Sequence, residues 1–299
     1  MAGKTETHGD EVKMKMKELK EYLDEQAEAF PGKVSYLLAD MESFGEKEKC
    51  KKADVTIQQL KDHVLLERDC HDRVVSASTV KVPVMLALME KLQEENKAIT
   101  DSLMVCREQI LEDSKVFEYG PRKASFEELI TWMIVNSDNT STNVLLEYLG
   151  FEAYNQWFSR MGLSKTLVQR KMLDYAAIEK GQNNYISPFD FYHCMAMIYA
   201  GRKADDDACL AYEILKGNRD YDSLRRYLYE RTPVAHKSGG LSNIAHDAGV
   251  FETEYGSYFF GVFVSEFEEK PELEREAEKL IGRMSRKVYD YRDWRKARL

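Results

Sequence analysis

Segments with the pattern of β-strands lie near both ends of the chain, and a long stretch with the pattern of helices separates them. Residues 33–41 and 54–68 predict early strands, with one or two strands in the second range. Late strands are predicted at residues 234–236, 244–253 and 257–267, and the last is almost continuously apolar, as in a central strand. Because strands need a common sheet to bury their apolar faces, the simplest assembly pairs early with late strands. The sequence therefore predicts an α/β (α+β) fold: an antiparallel sheet from both terminal segments, flanked by helices, with an inserted all-helical lobe.

Amphipathic helices at residues 11–29 and 272–298 are expected to flank this sheet, and residues 43–52 predict a solvated turn. Residues 163–186 have no clean period and predict a long loop with one helical turn. The helices predicted for the lobe start at capping residues and stop at glycines, and they cover residues 78–94, 125–135, 140–149, 151–161, 187–201, 207–216 and 222–230. The lobe is thus expected to contain helices and loops alone.

The length of 299 residues is ample for a sizeable core, and no low-complexity linker or internal repeat interrupts it. We therefore expect a single domain over residues 1–299. Its α/β part is predicted at about 11–77 and 232–299, and its helical lobe at about 78–231. These two parts meet near residue 78, and such seams are where clefts form.

A serine and a lysine stand three residues apart at this seam, in Ser78-Thr79-Val80-Lys81. An apolar segment, residues 82–92, follows and predicts a buried helix. Residues i and i+3 share a helix face, so the Ser78 hydroxyl and the Lys81 amine can meet. A serine becomes a nucleophile near neutral pH when a base lies beside it, and a lysine is such a base when burial or another cation lowers its pKa. Alone, this motif is also compatible with an ordinary surface turn.

Two further motifs fall at places where loops or strand ends could reach the seam. Ser137-Asp138-Asn139 lies between two predicted helices and, taken alone, is better explained as a cluster of helix N-caps. Lys237-Ser238-Gly239-Gly240 follows a predicted strand and, taken alone, is better explained as a hairpin turn with an exposed lysine. Its other interpretation is a strand edge that presents an ammonium, a hydroxyl and a backbone that glycine leaves open to close approach.

The three motifs together change the interpretation, because S-x-x-K, S-D-N and K-[ST]-G in this order mark class A β-lactamases and penicillin-binding proteins. The chain resembles the class A β-lactamase family over nearly its whole length. That resemblance implies a β-lactamase-like fold. It also implies a serine hydrolase that is acylated by a β-lactam or a related amide.

The resemblance also implies roles for individual residues. Ser78 would be the nucleophile, and Lys81 would help to deprotonate it. Ser137 would relay a proton to the leaving nitrogen, and Lys237 would lower local pKa values and attract a substrate carboxylate.

Three further residues would bind the substrate. Asn139 would hold Lys81 or the side-chain amide of the substrate, and Ser238 would hydrogen-bond its carboxylate. The backbone N–H groups of Ser78 and Gly240 would form the oxyanion hole. Such preorganised donors are each worth about 2.7–4 kcal/mol of transition-state stabilisation.

One departure from the family concerns the step that releases the product. Class A enzymes carry a glutamate in the loop before the next helix, and it activates the water that hydrolyses the acyl-enzyme. The corresponding loop here begins at Arg170, and by count Met172 stands near the position of that glutamate. Methionine is not a base, and Asp174 and Glu179 are the acidic residues that could replace it.

Three functions stay open at this point. The first is a β-lactamase-like hydrolase of a β-lactam or related amide. The second is a peptidase, esterase or transacylase that deacylates slowly, as penicillin-binding proteins do, and the absent glutamate favours it. The third is a non-catalytic binding protein that keeps the fold, and retention of the nucleophile and its neighbours argues against it.

Composition restricts the partners. The formal net charge of −9 disfavours a nucleic-acid partner, and the absence of any run of 18 apolar residues disfavours a membrane span. The polar N-terminus favours a cytoplasmic location. Five widely spaced cysteines, with no C-x-x-C and no Cys/His cluster of metal spacing, predict reduced thiols and no metal. We therefore expect a small-molecule substrate, no cofactor, and packed or surface roles for the histidines, such as His71, His236 and His246.

Overall fold

The computed structural model describes residues 3–45, 55–229, 231–254 and 256–291. Most of the turn predicted at residues 43–52 lies outside this part of the chain, as do Cys50 and the end of the helix predicted at residues 272–298. The four cysteines that are described, Cys70, Cys106, Cys194 and Cys209, are free thiols, as predicted.

Five antiparallel strands from the two ends of the chain form one sheet, which confirms the fold class. They are β1 (Lys33–Asp40), β2 (Val64–Arg68), β7 (Val234–Leu241), β8 (Ile244–Thr253) and β9 (Gly256–Ser265). Their order across the sheet is β2-β1-β9-β8-β7. The apolar strand β9 is central, as its sequence predicts, and β7 is an edge strand.

Both faces of the sheet are covered. On one face, α1 (Gly3–Ala29) and α11 (Pro271–Asp290) pack their apolar stripes against β1 and β9, with Leu23 and Ile281 fully buried. On the other face lies α9 (Pro188–Gly201), where Phe191 contacts aromatic side chains of β9. Each face therefore buries a separate apolar layer, and the second layer continues into the helices of the chain's middle.

The helices of the middle segment start and end where their caps predict. The Ser125 side chain accepts a hydrogen bond from the Glu128 N–H, and that of Ser187 accepts one from the Asp190 N–H. Gly150, with φ at 82°, ends one helix and begins the next. The remaining long helices are α4 (Lys81–Glu94), α5 (Phe126–Val135), α6 (Asn139–Leu149), α7 (Phe151–Arg160) and α10 (Asp206–Lys216).

Three local predictions are wrong or incomplete. Residues 57–63 form a helix, α3 (Ile57–His63), and only Val64–Arg68 is a strand, because the Thr56 side chain and Gln59 form a capping box that starts a helix. Residues 222–229 form turns rather than a short helix. The middle segment also contains a small antiparallel pair, β4 (Ser102–Val105) with β5 (Arg122–Ser125).

The loop predicted at residues 163–186 is confirmed, including its single helical turn, α8 (Tyr175–Glu179). It ends in β6 (Tyr185–Ile186), which pairs with β3 (Val74–Val75) just before residue 78. The loop is thereby tied to the segment that carries the first motif.

A short helix, α2 (Glu42–Gly45), follows β1. Within the residues described above, none of the helices has the length and apolar character that crossing a lipid bilayer requires.

Candidate active site

Ser78 lies in a 3-10 turn, Ala77–Val80, that precedes α4, so it is not inside the α-helix that the sequence predicts. Ala77 begins this turn with φ at 45°, and the Thr79 hydroxyl donates to the Ser76 carbonyl at 2.6 Å. The Ser76 N–H in turn donates to the Asn184 carbonyl at 2.9 Å. The turn is therefore fixed on both sides, and it leaves Ser78 half-buried while its neighbours are buried.

Lys81 is the first residue of α4, and its side chain is fully buried. Its amine donates to the Ser137 carbonyl at 2.6 Å, to the Ser137 hydroxyl at 3.0 Å and to Asn139 Oδ1 at 2.9 Å. If Lys81 is an ammonium, its three N–H bonds are donated to these three oxygens. If it is a neutral amine, it donates two N–H bonds and accepts one hydrogen bond at its lone pair. The first two motifs are therefore in direct contact.

The Ser137-Asp138-Asn139 motif combines both interpretations that the sequence left open. Asp138 is the N-cap of α6, where its carboxylate accepts from the Ser141 N–H at 2.6 Å and from the Ser114 hydroxyl at 2.6 Å. Ser137 has φ at 55°, a left-handed conformation that the cap holds in place. Asp138 therefore caps α6 and fixes the turn before it, while Ser137 and Asn139 contact Lys81.

The third motif lies on strand β7 and is not a hairpin turn. Lys237 is buried, and its amine donates to the Ser238 carbonyl at 2.7 Å. Gly239 packs directly on the Ser78 turn: a Cβ at that glycine would lie 2.7 Å from the Ser78 nitrogen. Any larger residue would push the strand away, so this glycine sets how closely β7 approaches Ser78. Ser238 is half-buried and Gly240 exposed at this edge.

Burial lowers the pKa of both lysines, and the charge of Lys237 lowers that of Lys81 further. The pKa of Lys81 falls well below its usual value, first because the amine is desolvated and then because Lys237 is near, while Asp138 and Asp113 act in the opposite direction. Burial lowers the pKa of Lys237 to about 8, against the opposing effect of Asp220 and Asp247. The site therefore contains one amine suited to be a base and one cation that titrates just above neutral pH.

Asp113 belongs to the site and carried no sequence signal. Its carboxylate accepts from the Asn139 Nδ2 at 2.9 Å, so the amide oxygen of Asn139 turns toward Lys81. The same carboxylate raises the pKa of Lys81, against the effect of burial. Asp113 stands in an aperiodic polar loop without a motif, and only the folded chain brings it beside Asn139.

Removing the charge of Asp113 is expected to change the pH dependence of acylation. In Asp113→Asn, the pKa of Lys81 should fall further, because an attractive negative charge is lost. The acidic limb of the acylation rate against pH should then move to lower pH. Stopped-flow labelling with a fluorescent penicillin would measure it. Glu112→Gln, at the exposed neighbouring residue, should leave the limb unchanged, and an unmoved limb in Asp113→Asn would contradict the assignment.

Met172 is buried, and the Asn143 side chain brackets its backbone. Asn143 Oδ1 accepts from the Met172 N–H at 2.7 Å, and its Nδ2 donates to the Met172 carbonyl at 3.2 Å. The Asp174 carboxylate is the N-cap of α8 and accepts from the Ala177 N–H at 3.0 Å, while Glu179 is exposed on that helix. The two acidic residues considered from the sequence are thus an N-cap and an exposed side chain.

The fold and these contacts define the class of β-lactamase-like serine hydrolases. The model of the beta-lactamase enzyme family matches residues 19–292, and the chain belongs to this family. A β-lactamase of Bacteroides uniformis is 24% identical over 254 residues, which is 76% of this chain and 81% of that protein. A β-lactamase of Rhodobacter capsulatus is 26% identical over 214 residues, 69% of this chain and 72% of that protein.

Solved structures show the same fold at low identity. A β-lactamase from Chitinophaga pinensis has a TM-score of 0.76 at 19% identity, with 91% of this chain and 98% of that chain covered. PBP-A has a TM-score of 0.74 at 21% identity, with 91% and 95% covered. The fold is therefore common to proteins named β-lactamase and to one named PBP-A.

Proposed function

We propose that the protein is a serine hydrolase that a β-lactam or related amide acylates at Ser78. The observation that carries this proposal is the buried Lys81 amine, which hydrogen-bonds to Ser137 and Asn139 one helical turn after Ser78. A desolvated amine with a lowered pKa is the base that a serine nucleophile needs near neutral pH.

The proposed reaction uses these groups in turn. The Ser78 Oγ–H proton passes to the neutral Lys81 amine while Oγ bonds to the substrate carbonyl carbon. The tetrahedral oxyanion accepts hydrogen bonds from the Ser78 and Gly240 N–H groups. The carbonyl C–N bond then breaks, and the proton travels from Lys81 through the Ser137 hydroxyl to the leaving nitrogen. The product of this half-reaction is an ester on Ser78.

Substrate binding would use the edge of β7 and Asn139. The Lys237 ammonium and the Ser238 hydroxyl suit a carboxylate, and the Asn139 amide suits a side-chain amide of the substrate. A β-lactam antibiotic and a peptide-like amide share both groups. The substrate class is therefore a small anionic amide.

The pH dependence of acylation is expected to report Lys237. Because its pKa is about 8, the ammonium is lost above that pH, and the attraction for a substrate carboxylate goes with it. The second-order rate of acylation by an anionic penicillin should therefore fall as pH rises through about 8. In Lys237→Arg this limb should disappear, since arginine stays charged. The control Lys91→Arg, at a partly exposed lysine of α4, should keep it, and a limb unchanged in Lys237→Arg would contradict the role.

A second candidate function differs in the fate of the ester. Met172 supplies no base, the Asp174 carboxylate caps α8, and Glu179 is exposed. Without a carboxylate to activate water, the ester would persist, as in a penicillin-binding peptidase, esterase or transacylase. Slow deacylation is therefore the form of the activity that this loop favours.

One experiment separates the candidates. The protein is mixed with a fluorescent penicillin and, separately, with a chromogenic cephalosporin, and intact mass is followed over time. Continuous turnover supports a hydrolase. One acyl group per chain that outlasts the free drug supports slow deacylation, and no adduct on folded protein overturns both. Met172→Ala should keep the adduct, because that residue contributes no group to acylation.

A further inference from the structure

The turn between β2 and β3 brings three metal-binding side chains together, apart from the site above. A carboxylate oxygen of Glu67, the thiol sulfur of Cys70 and a ring nitrogen of His71 lie within 4.8 Å of one another. None of these three groups has a part in the acylation chemistry. They supply a carboxylate, a thiolate and an imidazole, three different ligand types within five consecutive residues.

The backbone of this turn is fixed at the ligands themselves. Asp69 has φ at 47° and reverses the chain, and the Asp72 N–H closes the turn on the Asp69 carbonyl at 3.3 Å. The Cys70 carbonyl accepts from the Phe189 N–H at 2.9 Å, and the His71 ring packs on the Phe189 ring at 4.5 Å. Contacts with α9 therefore restrict the Cys70 backbone and one face of the His71 ring, which lowers the entropy cost of binding an ion.

Exposure differs among the three side chains in a way that suits an ion. Cys70 is 2% exposed, while Glu67 and His71 face solvent. The Cys70 thiol donates to Glu67 Oε2 at 3.1 Å, so the thiol proton occupies the space between two of the donor atoms. A cation entering past the exposed ligands would take the position of that proton.

We propose that Glu67, Cys70 and His71 bind a zinc ion, with water as the fourth ligand. Zinc prefers thiolate, imidazole and carboxylate donors in tetrahedral geometry, at bond lengths of about 2.0–2.3 Å. Those lengths require ligand atoms roughly 3.3–3.8 Å apart, which the exposed Glu67 and His71 side chains reach by rotation. The thiolate and the carboxylate together neutralise the 2+ charge.

Binding needs no reactant other than the zinc ion and a buffer that accepts the thiol proton. The sulfur–zinc bond forms as the S–H bond breaks, and the thiol proton leaves to the buffer. Asp72, the neighbouring acid, is ion-paired with Lys33 at 2.6 Å. Asp72 is therefore already paired, and Glu67, Cys70 and His71 are the three protein ligands of the proposed site.

Cobalt titration of the tag-free, chelator-treated full chain tests the proposal. Co²⁺ should bind one per chain with the near-ultraviolet band of a cobalt–thiolate bond, and Zn²⁺ should displace it. Cys70→Ser should remove the band. His71→Ala should weaken binding by more than the roughly 10–100-fold that loss of an outer-shell partner costs. Cys106→Ser and Cys209→Ser, at exposed thiols elsewhere, should change neither result.

Other outcomes overturn the proposal. One is the absence of a thiolate band at one equivalent of cobalt. The other is a band that persists in Cys70→Ser and is lost in Cys106→Ser or Cys209→Ser. Circular dichroism would establish that Cys70→Ser is folded. His71→Ala changes an exposed side chain and keeps the test decisive if Cys70→Ser does not fold. Added zinc should also raise the unfolding temperature of the parent chain and not that of His71→Ala.

Discussion

Ser78→Ala is expected to abolish covalent labelling by a fluorescent penicillin and to remove the acyl adduct from the intact mass. In the proposed reaction the Ser78 hydroxyl oxygen forms the ester, so removing it removes the nucleophile. The variant should remain folded, because Ser78 is half-buried and the turn is held by Thr79, Ser76 and Asn184 instead. Labelling, intact mass and thermal unfolding measure all three consequences.

Ser76→Ala is the matched control for this loss. Ser76 lies two residues away, and its hydroxyl donates to the Ala77 carbonyl at 3.2 Å. It should keep labelling, with the adduct on the peptide that contains Ser78. An adduct of equal yield in Ser78→Ala would mean that another residue is the nucleophile. The proposed function would then be wrong even though the family is established.

The main features of the fold could be predicted from the sequence because its signals are local and strong. The continuous apolar run of β9 and the amphipathic stripe of α11 are visible in any window of residues. The failures have local causes too. The apolar residues of 54–68 resemble a strand, but the Thr56–Gln59 capping box starts a helix before β2 begins.

The residues of the candidate site also fall into those that the sequence predicts and those that it does not. Ser78, Ser137 and Lys237 stand in short motifs, and the motif order alone indicated that they belong together. Asp113 and Asn143 have no motif, because their roles come from single side-chain contacts made across the fold. The sequence predicts no metal, because it has no C-x-x-C and no Cys/His cluster of metal spacing, and the proximity of Glu67 to Cys70 and His71 is a feature of the folded turn.

Lys81→Met is expected to slow acylation strongly and at the same time to stabilise the protein. Loss of a general base costs roughly 10²–10⁴ in rate. Stability should rise, because a buried amine is costly and methionine fills similar volume with apolar atoms. Ser137 and Asn139 lose a hydrogen-bond partner, but both are half-buried and water can replace it. The net gain in the free energy of unfolding near pH 7 should be about 1 kcal/mol.

The pH dependence of stability distinguishes this cause from simple repacking. The pKa of Lys81 is lowered in the folded state, so the unfolded chain binds more protons at pH values between the folded pKa and the unfolded value of 10.5. The free energy of unfolding of the parent chain should therefore rise with pH across that window and decline as pH falls through the folded pKa. Lys81→Met should lose Lys81's share of this slope and keep that of Lys237. Lys91→Met, at a partly exposed lysine on the same helix, should keep the whole slope. A slope equal to the parent's in Lys81→Met would mean that the buried amine is not the group that titrates.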